Sequence, residues 1–240
     1  LYIIYGGLSM ENNNNESMPF LEKVKYFFIK PSKLFQEPVQ KSDYAISAII
    51  IGFLSVFGEI IQSPVVRRTL RGTLNSANTV NTVRDKQLVN SIFNSIVNTV
   101  TNPVATAIGN LIGILILVFV SSAIYLLICK IINADIDYGK MIIIYLIAYI
   151  PISLRTFFEG IYTSAANSAF FIDNRSSGYI SVLLKYDLFK VWQVVILIIG
   201  IAVLGKVSKK KAAAGVVTWN AIGLLFALLG VVMANAFKAL

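Results

Sequence analysis

Residues 111–132 read LIGILILVFVSSAIYLLICKII, and the first nineteen of these residues carry no charged side chain. A helix of about 20 apolar residues is long enough to cross the hydrocarbon core of a bilayer, which is about 30 Å thick. This predicted span begins near residue 104, and four other segments are also predominantly apolar: residues 44–62, 140–160, 188–205 and 215–235. The sequence therefore predicts an all-α polytopic membrane protein with five transmembrane helices.

The composition of the whole chain agrees with this prediction and excludes many catalytic chemistries. Of the 240 residues, 56% are hydrophobic and 14% are charged, and the mean hydropathy is +0.73. There is no histidine and one cysteine, Cys129, so histidine catalysis, histidine metal ligands, a Cys-x-x-Cys pair and an intrachain disulfide are excluded. The glycine-rich nucleotide loops and the motifs of membrane proteases are also missing. We expect no enzyme activity, no catalytic residues, no metal site and no cofactor.

Two segments outside the spans have the periodicity of amphipathic interfacial helices. Residues 19–29 place Lys23 and Lys25 on one helical face, opposite an apolar set made of Phe20, Leu21, Val24, Phe27 and Phe28. We expect this helix to lie on the cytoplasmic headgroups, with packing on the protein's own loops as the alternative. Residues 88–100 predict a second amphipathic helix, outside the membrane or on its surface.

The N-terminal residues are predicted to lie outside the membrane domain. Residues 1–18 are expected to form a disordered tail, and residues 19–240 a single integral membrane domain. Residues 1–9 precede Met10 and lack the basic and apolar regions of a secretory signal. We interpret them as an overextended reading frame.

The distribution of basic residues predicts the orientation. If the N-terminus is inside, eleven basic residues fall on the inner side and nine on the outer side. Five of the outer nine belong to a long polar loop, whereas the densest short loop joins the fourth and fifth spans and contains Lys206, Lys209, Lys210 and Lys211. Short basic loops stay in the cytoplasm. We therefore predict a cytoplasmic N-terminus and an external C-terminus.

The same lysines are candidates for surface contacts. Lys23 and Lys25 of the N-terminal helix, together with the four lysines of the short loop, would face the cytoplasmic leaflet. We expect them to contact anionic headgroups or a cytoplasmic protein partner of unknown identity. Nucleic acid is not an expected partner despite the net charge of +9, because the basic residues lie mostly between apolar segments.

A row of small residues occurs in the second span. Ala105, Gly109 and Gly113 recur every four residues and so share one helical face. Small residues at this spacing allow another helix to approach closely. We predict that this face packs against a second helix.

Three charged residues lie within the predicted spans. Glu59 is 15 residues after Tyr44 and Arg155 is 14 after Met141, which places both about 21 to 23 Å from the inner end of their helices. We predict that Glu59 pairs with Arg155 and that Glu159, one turn beyond, shares the arginine. The cluster either holds two helices in register or faces a water-filled cavity that binds an ion, a proton or a headgroup. Asp187 is expected only to cap the fourth span.

Two segments carry a resemblance to a known family. One is Lys30-Pro-Ser-Lys-Leu-Phe35, ahead of the first span. The other is the hairpin of the last two spans, which contains Asp187-Leu-Phe-Lys-Val-Trp192, Gly200 and Gly205-Lys-Val-Ser-Lys-Lys-Lys-Ala212. Together with the five spans, these resemble the YIP-domain family over about residues 20–235. The resemblance implies five helices and a cytoplasmic N-terminus.

The resemblance also bears on function. Eukaryotic members of the family act in vesicle traffic through Ypt/Rab GTPases and in shaping endomembranes. Asp187-Leu188-Phe189 shares only the first two residues of their acidic Asp-Leu-Tyr-Gly-Pro motif, so Rab binding is not carried over. The chain is more similar to short prokaryotic members. The Ile-, Asn- and Lys-rich composition suits an AT-rich bacterial genome, and we expect a bacterial or archaeal plasma membrane.

Two functions from different classes remain open. The first is a non-enzymatic membrane scaffold or partner-binding protein that uses the basic N-terminal helix and the lysine hairpin. The alternative is a small transporter or channel that uses Glu59, Arg155 and Glu159. Five spans do not divide into two equal inverted halves, which favours the scaffold. A homo-oligomer is compatible with both.

Overall fold

The fold is all-helical in a computed structural model that describes residues 18–36, 41–77, 102–167, 182–183 and 186–238, and five residues between 91 and 98. The helices are α1 Phe20–Ile29, α2 Pro31–Leu34, α3 Lys41–Ala77, α4 Pro103–Ile131, α5 Tyr138–Ala166, α6 Leu188–Leu204 and α7 Lys209–Lys238. Four of them, α3, α4, α5 and α7, are long and apolar enough to cross a membrane. The predicted multi-pass α-helical protein is thus confirmed, whereas the fourth predicted span, α6, has only 17 residues.

The central helix of the bundle is α5. It contacts α3, α4 and α6, and it is buried around most of its circumference between Met141 and Ala148. Its neighbour α3 runs parallel to it, because the Tyr44 hydroxyl donates to the Gly139 carbonyl at 3.0 Å near the start of both helices, while Gly58 lies against Thr156 further along. Helix α6 runs antiparallel to α5, since Gly200 lies near Ile144 and Asp187 reaches Arg155.

Two short connections bring several helix ends together. The connection between α4 and α5 meets the connection between α6 and α7, where the Asp135 N–H donates to the Gly205 carbonyl at 3.1 Å. Helices α4 and α6 therefore end, and α5 and α7 begin, on one side of the bundle. Helix α3 begins there too, through the contact of Tyr44 with Gly139. We call this side the lysine end, because Lys130, Lys140, Lys206 and Lys209–Lys211 lie on it.

Helix α3 is longer than the predicted first span, which was expected to stop before Pro64. It continues through Pro64 to Ala77. A proline cannot donate a hydrogen bond to the carbonyl four residues earlier, here that of Ile60. The Ser63 hydroxyl donates to the Ile60 carbonyl at 3.0 Å and so replaces the missing donor. The helix therefore extends beyond the predicted span, which it contains.

This replacement gives a testable prediction. We expect Ser63→Ala to lower the free energy of unfolding in detergent by about 1 kcal/mol, the usual net value of one hydrogen bond. In a Pro64→Ala background the backbone N–H of residue 64 can serve Ile60, so Ser63→Ala should then have almost no effect. Equal effects of Ser63→Ala in the two backgrounds, measured by thermal unfolding, would contradict this account.

Helix α5 also extends beyond its predicted span of 140–160. It continues to Ala166, with Thr163 buried, and ends where Asn167 adopts a left-handed conformation with φ of 51°. Residues 161–166 contain no glycine or proline, so nothing in the local sequence stops the helix earlier. Most of the segment that joins α5 to α6 lies outside the described residues.

The first amphipathic helix is present as α1, and it packs on the bundle. The ring of Phe27 lies 5.1 Å from that of Trp192 on α6, and the ring of Phe28 lies 5.0 Å from it. At the other end of α1, the Lys23 ammonium donates to the Asp43 carboxylate at the start of α3. The second predicted amphipathic helix, residues 88–100, falls mostly outside the described residues.

Helix α7 is the least buried of the long helices. Its first turns pack on α4, where Gly215 lies close to Ile128. Two polar contacts follow: the Asn220 amide donates to the Tyr125 hydroxyl, and the Tyr186 hydroxyl donates to the Asn220 carbonyl, both at 3.1 Å. Beyond Asn220, most side chains of α7 that the structure describes are exposed.

Candidate functional site

A cluster of charged side chains lies on the side of the bundle opposite the lysine end. The Arg155 Nε on α5 donates to the Glu159 carboxylate at 2.5 Å and lies 3.0 Å from an oxygen of Asp187, at the start of α6. The three side chains are 15%, 26% and 31% exposed. One guanidinium is therefore shared by two partly buried carboxylates from neighbouring helices.

Asp187 makes a contact that the sequence did not predict. Its carboxylate accepts a hydrogen bond from the Lys190 N–H at 3.0 Å, as the predicted N-cap would. The same side chain also pairs with Arg155, which goes beyond the predicted capping role. The sequence offered one signal for this pairing, because the end of one membrane span and the start of the next lie on the same side of the membrane.

Glu59 lies close to this cluster on α3. Its carboxylate hydrogen-bonds with the Gln62 side chain, and it is close enough to Glu159 for the two charges to interact. Glu59 thus adds a third carboxyl group near the two that share the guanidinium. The predicted direct contact between Glu59 and Arg155 stays a prediction.

The backbones of α3 and α5 touch beside the cluster. A Cβ atom added to Gly58 would lie 2.5 Å from the Thr156 carbonyl oxygen, and one added to Gly160 would overlap the Gly58 carbonyl. These two glycines each adjoin an acidic residue, Glu59 or Glu159. The close packing of α3 on α5 therefore determines where the Glu59 and Glu159 side chains lie.

This contact differs from the predicted one. Ala105 and the two glycines of its row, Gly109 and Gly113, are exposed, and a Cβ added to either glycine has no described atom within 4 Å. The row points away from the bundle because the opposite face of α4 carries the buried set Ile114, Val118, Ser122, Tyr125 and Cys129. Within the described part of the chain, Gly58 and Gly160 make the close approach instead.

The lysine end has a different electrostatic character. Lys206, Lys209, Lys210 and Lys211 are exposed there, as are Lys130 and Lys140, and Lys25 on α1 is exposed as well. Lys23 differs from the others because its side chain is only 18% exposed and pairs with Asp43.

Two acidic residues, Asp135 in the α4–α5 connection and Asp137 at the start of α5, are also located at this end. The hydrogen bond from the Lys140 N–H lowers the pKa of Asp137, and the Lys140 ammonium lies 3.1 Å from the same carboxylate. Asp137 therefore stays ionised and caps α5 without compensating the lysines of the other connection.

Comparison with known proteins places the whole bundle in one family. The chain matches the Yip1 domain over residues 25–231, from within α1 to within α7. No curated protein and no solved structure matches it. The match covers all the elements that form the charged cluster and the lysine end, and the chain therefore belongs to the Yip1 domain family.

Proposed function

We propose that this Yip1-domain protein is a non-enzymatic membrane scaffold that presents its lysine end to the cytoplasmic leaflet and to a soluble protein partner. One observation carries the proposal: two hydrogen-bonded connections gather six exposed lysines, Lys130, Lys140, Lys206 and Lys209–Lys211, at one end of the bundle. Each lysine near an anionic surface is worth about 1 kcal/mol of attraction. A surface of this kind suits an acidic headgroup layer and an acidic protein surface beside it.

The proposed topology has five crossings. Helix α6 has 17 residues and a length of about 25 Å, at the lower limit for a spanning helix. It lies antiparallel to α5 and buries six residues in the bundle, so it occupies the same layer as the four longer helices. With the lysine end in the cytoplasm, the N-terminus is inside and the C-terminus outside. A bacterial or archaeal plasma membrane agrees with this proposal.

Cysteine labelling tests the topology. The only native cysteine, Cys129, is buried, so a Cys129→Ala chain gives a clean background. We expect a membrane-impermeant maleimide added to intact cells to label Ala236→Cys, and to label Ser208→Cys only after permeabilisation. Labelling of both positions from the same side would contradict the five-span topology.

Site-specific crosslinking tests the scaffold role. A photocrosslinking amino acid at Lys210 should yield a discrete protein adduct in cells, whereas one at Tyr162, exposed on α5 near its opposite end, should not. Replacing Lys206, Lys209 and Lys211 by glutamine in the same chain should reduce the adduct at least tenfold, given about 1 kcal/mol for each lysine. An adduct that is unchanged by this neutralisation would contradict the proposal.

A flux assay separates the scaffold from the transporter alternative. The transporter would use Glu59 beside Arg155 and Glu159. Glu59→Gln keeps the hydrogen-bonding shape of the side chain, so it should insert and fold normally. Solute flux in reconstituted vesicles that is lost in Glu59→Gln, at an unchanged melting temperature, would overturn the scaffold proposal.

A further inference from the structure

A groove of about 220 Å³ lies between α1, α3 and α5. The wall on α1 includes Phe20, Val24 and Phe27, and the wall on α3 and α5 includes Ile50, Leu54 and Leu154. Lys23 and Asp43 stand together at one end, and the rest of the lining is apolar apart from Ser47. The groove therefore has one charged end and an apolar body.

The groove is about as long as one leaflet is thick. Its lining on α3 runs from Ile46 to Leu54 and its lining on α5 from Ile143 to Leu154, which correspond to about 12 and 16 Å of helix. One half of a 30 Å hydrocarbon core is about 15 Å. The charged end is at the start of α3, which belongs to the lysine end. The groove thus has the length of an acyl chain in the leaflet at the lysine end, and its charged end lies where the headgroup of that lipid would be.

Helix α1 leaves the groove open because it touches the bundle at two separate places. The Lys23–Asp43 ion pair holds one end, and the contact of Phe27 and Phe28 with Trp192 holds the other. Phe20 and Phe28 line the groove and are 50% and 57% exposed, so the groove communicates with its surroundings. An apolar groove of this kind is poorly suited to water and well suited to an acyl chain.

The charges beside the groove distinguish between lipids. The charged end of the groove belongs to the lysine end, where Lys130, Lys140, Lys206 and Lys209–Lys211 are exposed, and the exposed Lys25 lies two residues from Lys23. The acidic residues described at this end are fewer than the lysines: Asp43 is paired with Lys23, Asp137 is paired with Lys140, and Asp135 and Glu22 are exposed. The net field there is positive and favours an anionic headgroup over a zwitterionic one.

From this geometry we propose that the groove binds one acyl chain of an anionic phospholipid, with the headgroup phosphate beside Lys25 and the Lys23–Asp43 pair. The lipid fills the space between α1 and the α3–α5 pair and so fixes the position of α1 on the bundle. This site is separate from partner binding at the α6–α7 connection, and either one can exist without the other.

Photoactivatable lipids test this site in the reconstituted full chain. The probes are phosphatidylglycerol and phosphatidylcholine with the same diazirine-bearing acyl chain, each at low abundance in a phosphatidylcholine bilayer. We expect adducts of the phosphatidylglycerol probe to concentrate on the groove segments of α1, α3 and α5, at about ten times the yield of the phosphatidylcholine probe. The variant Lys25→Gln should reduce this ratio about fivefold, because one charge near the phosphate is lost, whereas Lys30→Gln, at the Trp192 end of α1, should leave the ratio unchanged.

A plug variant with a matched control completes the test. Leu54→Trp fills the groove and should reduce adducts there at least fivefold, whereas Leu117→Trp, on the exposed face of α4, should not change them. The lysine variants leave the packing of α1 untouched, so their result stands even if Leu54→Trp unfolds. Equal yields of the two probes in the unmodified chain, or adducts spread evenly over the exposed faces of α4 and α7, would overturn the proposal.

Discussion

Gly160→Ala is expected to separate α3 from α5 and to lower the free energy of unfolding by about 3 kcal/mol, the upper part of the range for overpacked sites. The added Cβ would occupy the position of the Gly58 carbonyl oxygen, and the backbone of a helix cannot move aside as a side chain can. Gly58→Ala should have an equivalent effect, because its Cβ would meet the Thr156 and Phe157 backbone. The measurement is thermal unfolding of the purified protein in a mild detergent.

Glycines that have no close neighbour provide the matched control. Gly109 and Gly223 lie inside long helices, and a Cβ on either has no described atom within 4 Å. Alanine favours a helix over glycine by up to about 1 kcal/mol, so Gly109→Ala and Gly223→Ala should be neutral or slightly stabilising. If Gly160→Ala and Gly109→Ala shifted the melting temperature equally, the contact between the two backbones would not be the cause.

Arg155→Leu is expected to have the second large effect. It removes the only basic partner that the described structure shows for Glu159 and Asp187, and it leaves two partly buried carboxylates beside each other. Removing one member of a buried ion pair typically costs about 3 kcal/mol or more. For a chain of this size this corresponds to a fall in melting temperature of about 6 to 12 °C.

Two companion variants separate charge from capping. Asp187→Asn removes the charge while asparagine remains a good N-cap, so it should cost much less than Asp187→Ala, which loses both roles. The uncharged triple variant Arg155→Leu/Glu159→Gln/Asp187→Asn should recover most of the stability lost in Arg155→Leu, because no unpaired charge remains. A triple variant that is as unstable as Arg155→Leu alone would show that Arg155 acts through packing.

The candidate site was only partly predictable. Contacts between residues close together in the chain could be predicted, whereas contacts between residues far apart in the chain could not. Arg155 and Glu159 are four residues apart on one helix, so helix geometry brings them together whatever the tertiary structure. Asp187 is thirty-two residues from Arg155, and its pairing depends on α6 lying antiparallel beside α5. Gly58 and Gly160 lie on helices that are not consecutive in the chain, and although Gly160 forms a row of small residues with Thr156 and Ser164, that row does not name its partner helix. Their contact depends on the rotation of both helices.

The sequence by itself determined the all-helical membrane class, the positions of the apolar segments and the family resemblance, because segment length, hydropathy and charge are local properties. Which face of each helix turns inward was decided only by the tertiary structure. Lipid tails are as apolar as a leucine side chain, so a face toward lipid and a face toward another helix have the same hydropathy. The row of Ala105, Gly109 and Gly113 therefore looks the same in the sequence whether it packs on a helix or faces away from the bundle. Only the packed arrangement of α3, α4 and α5 determines that Gly58 and Gly160 make the close contact.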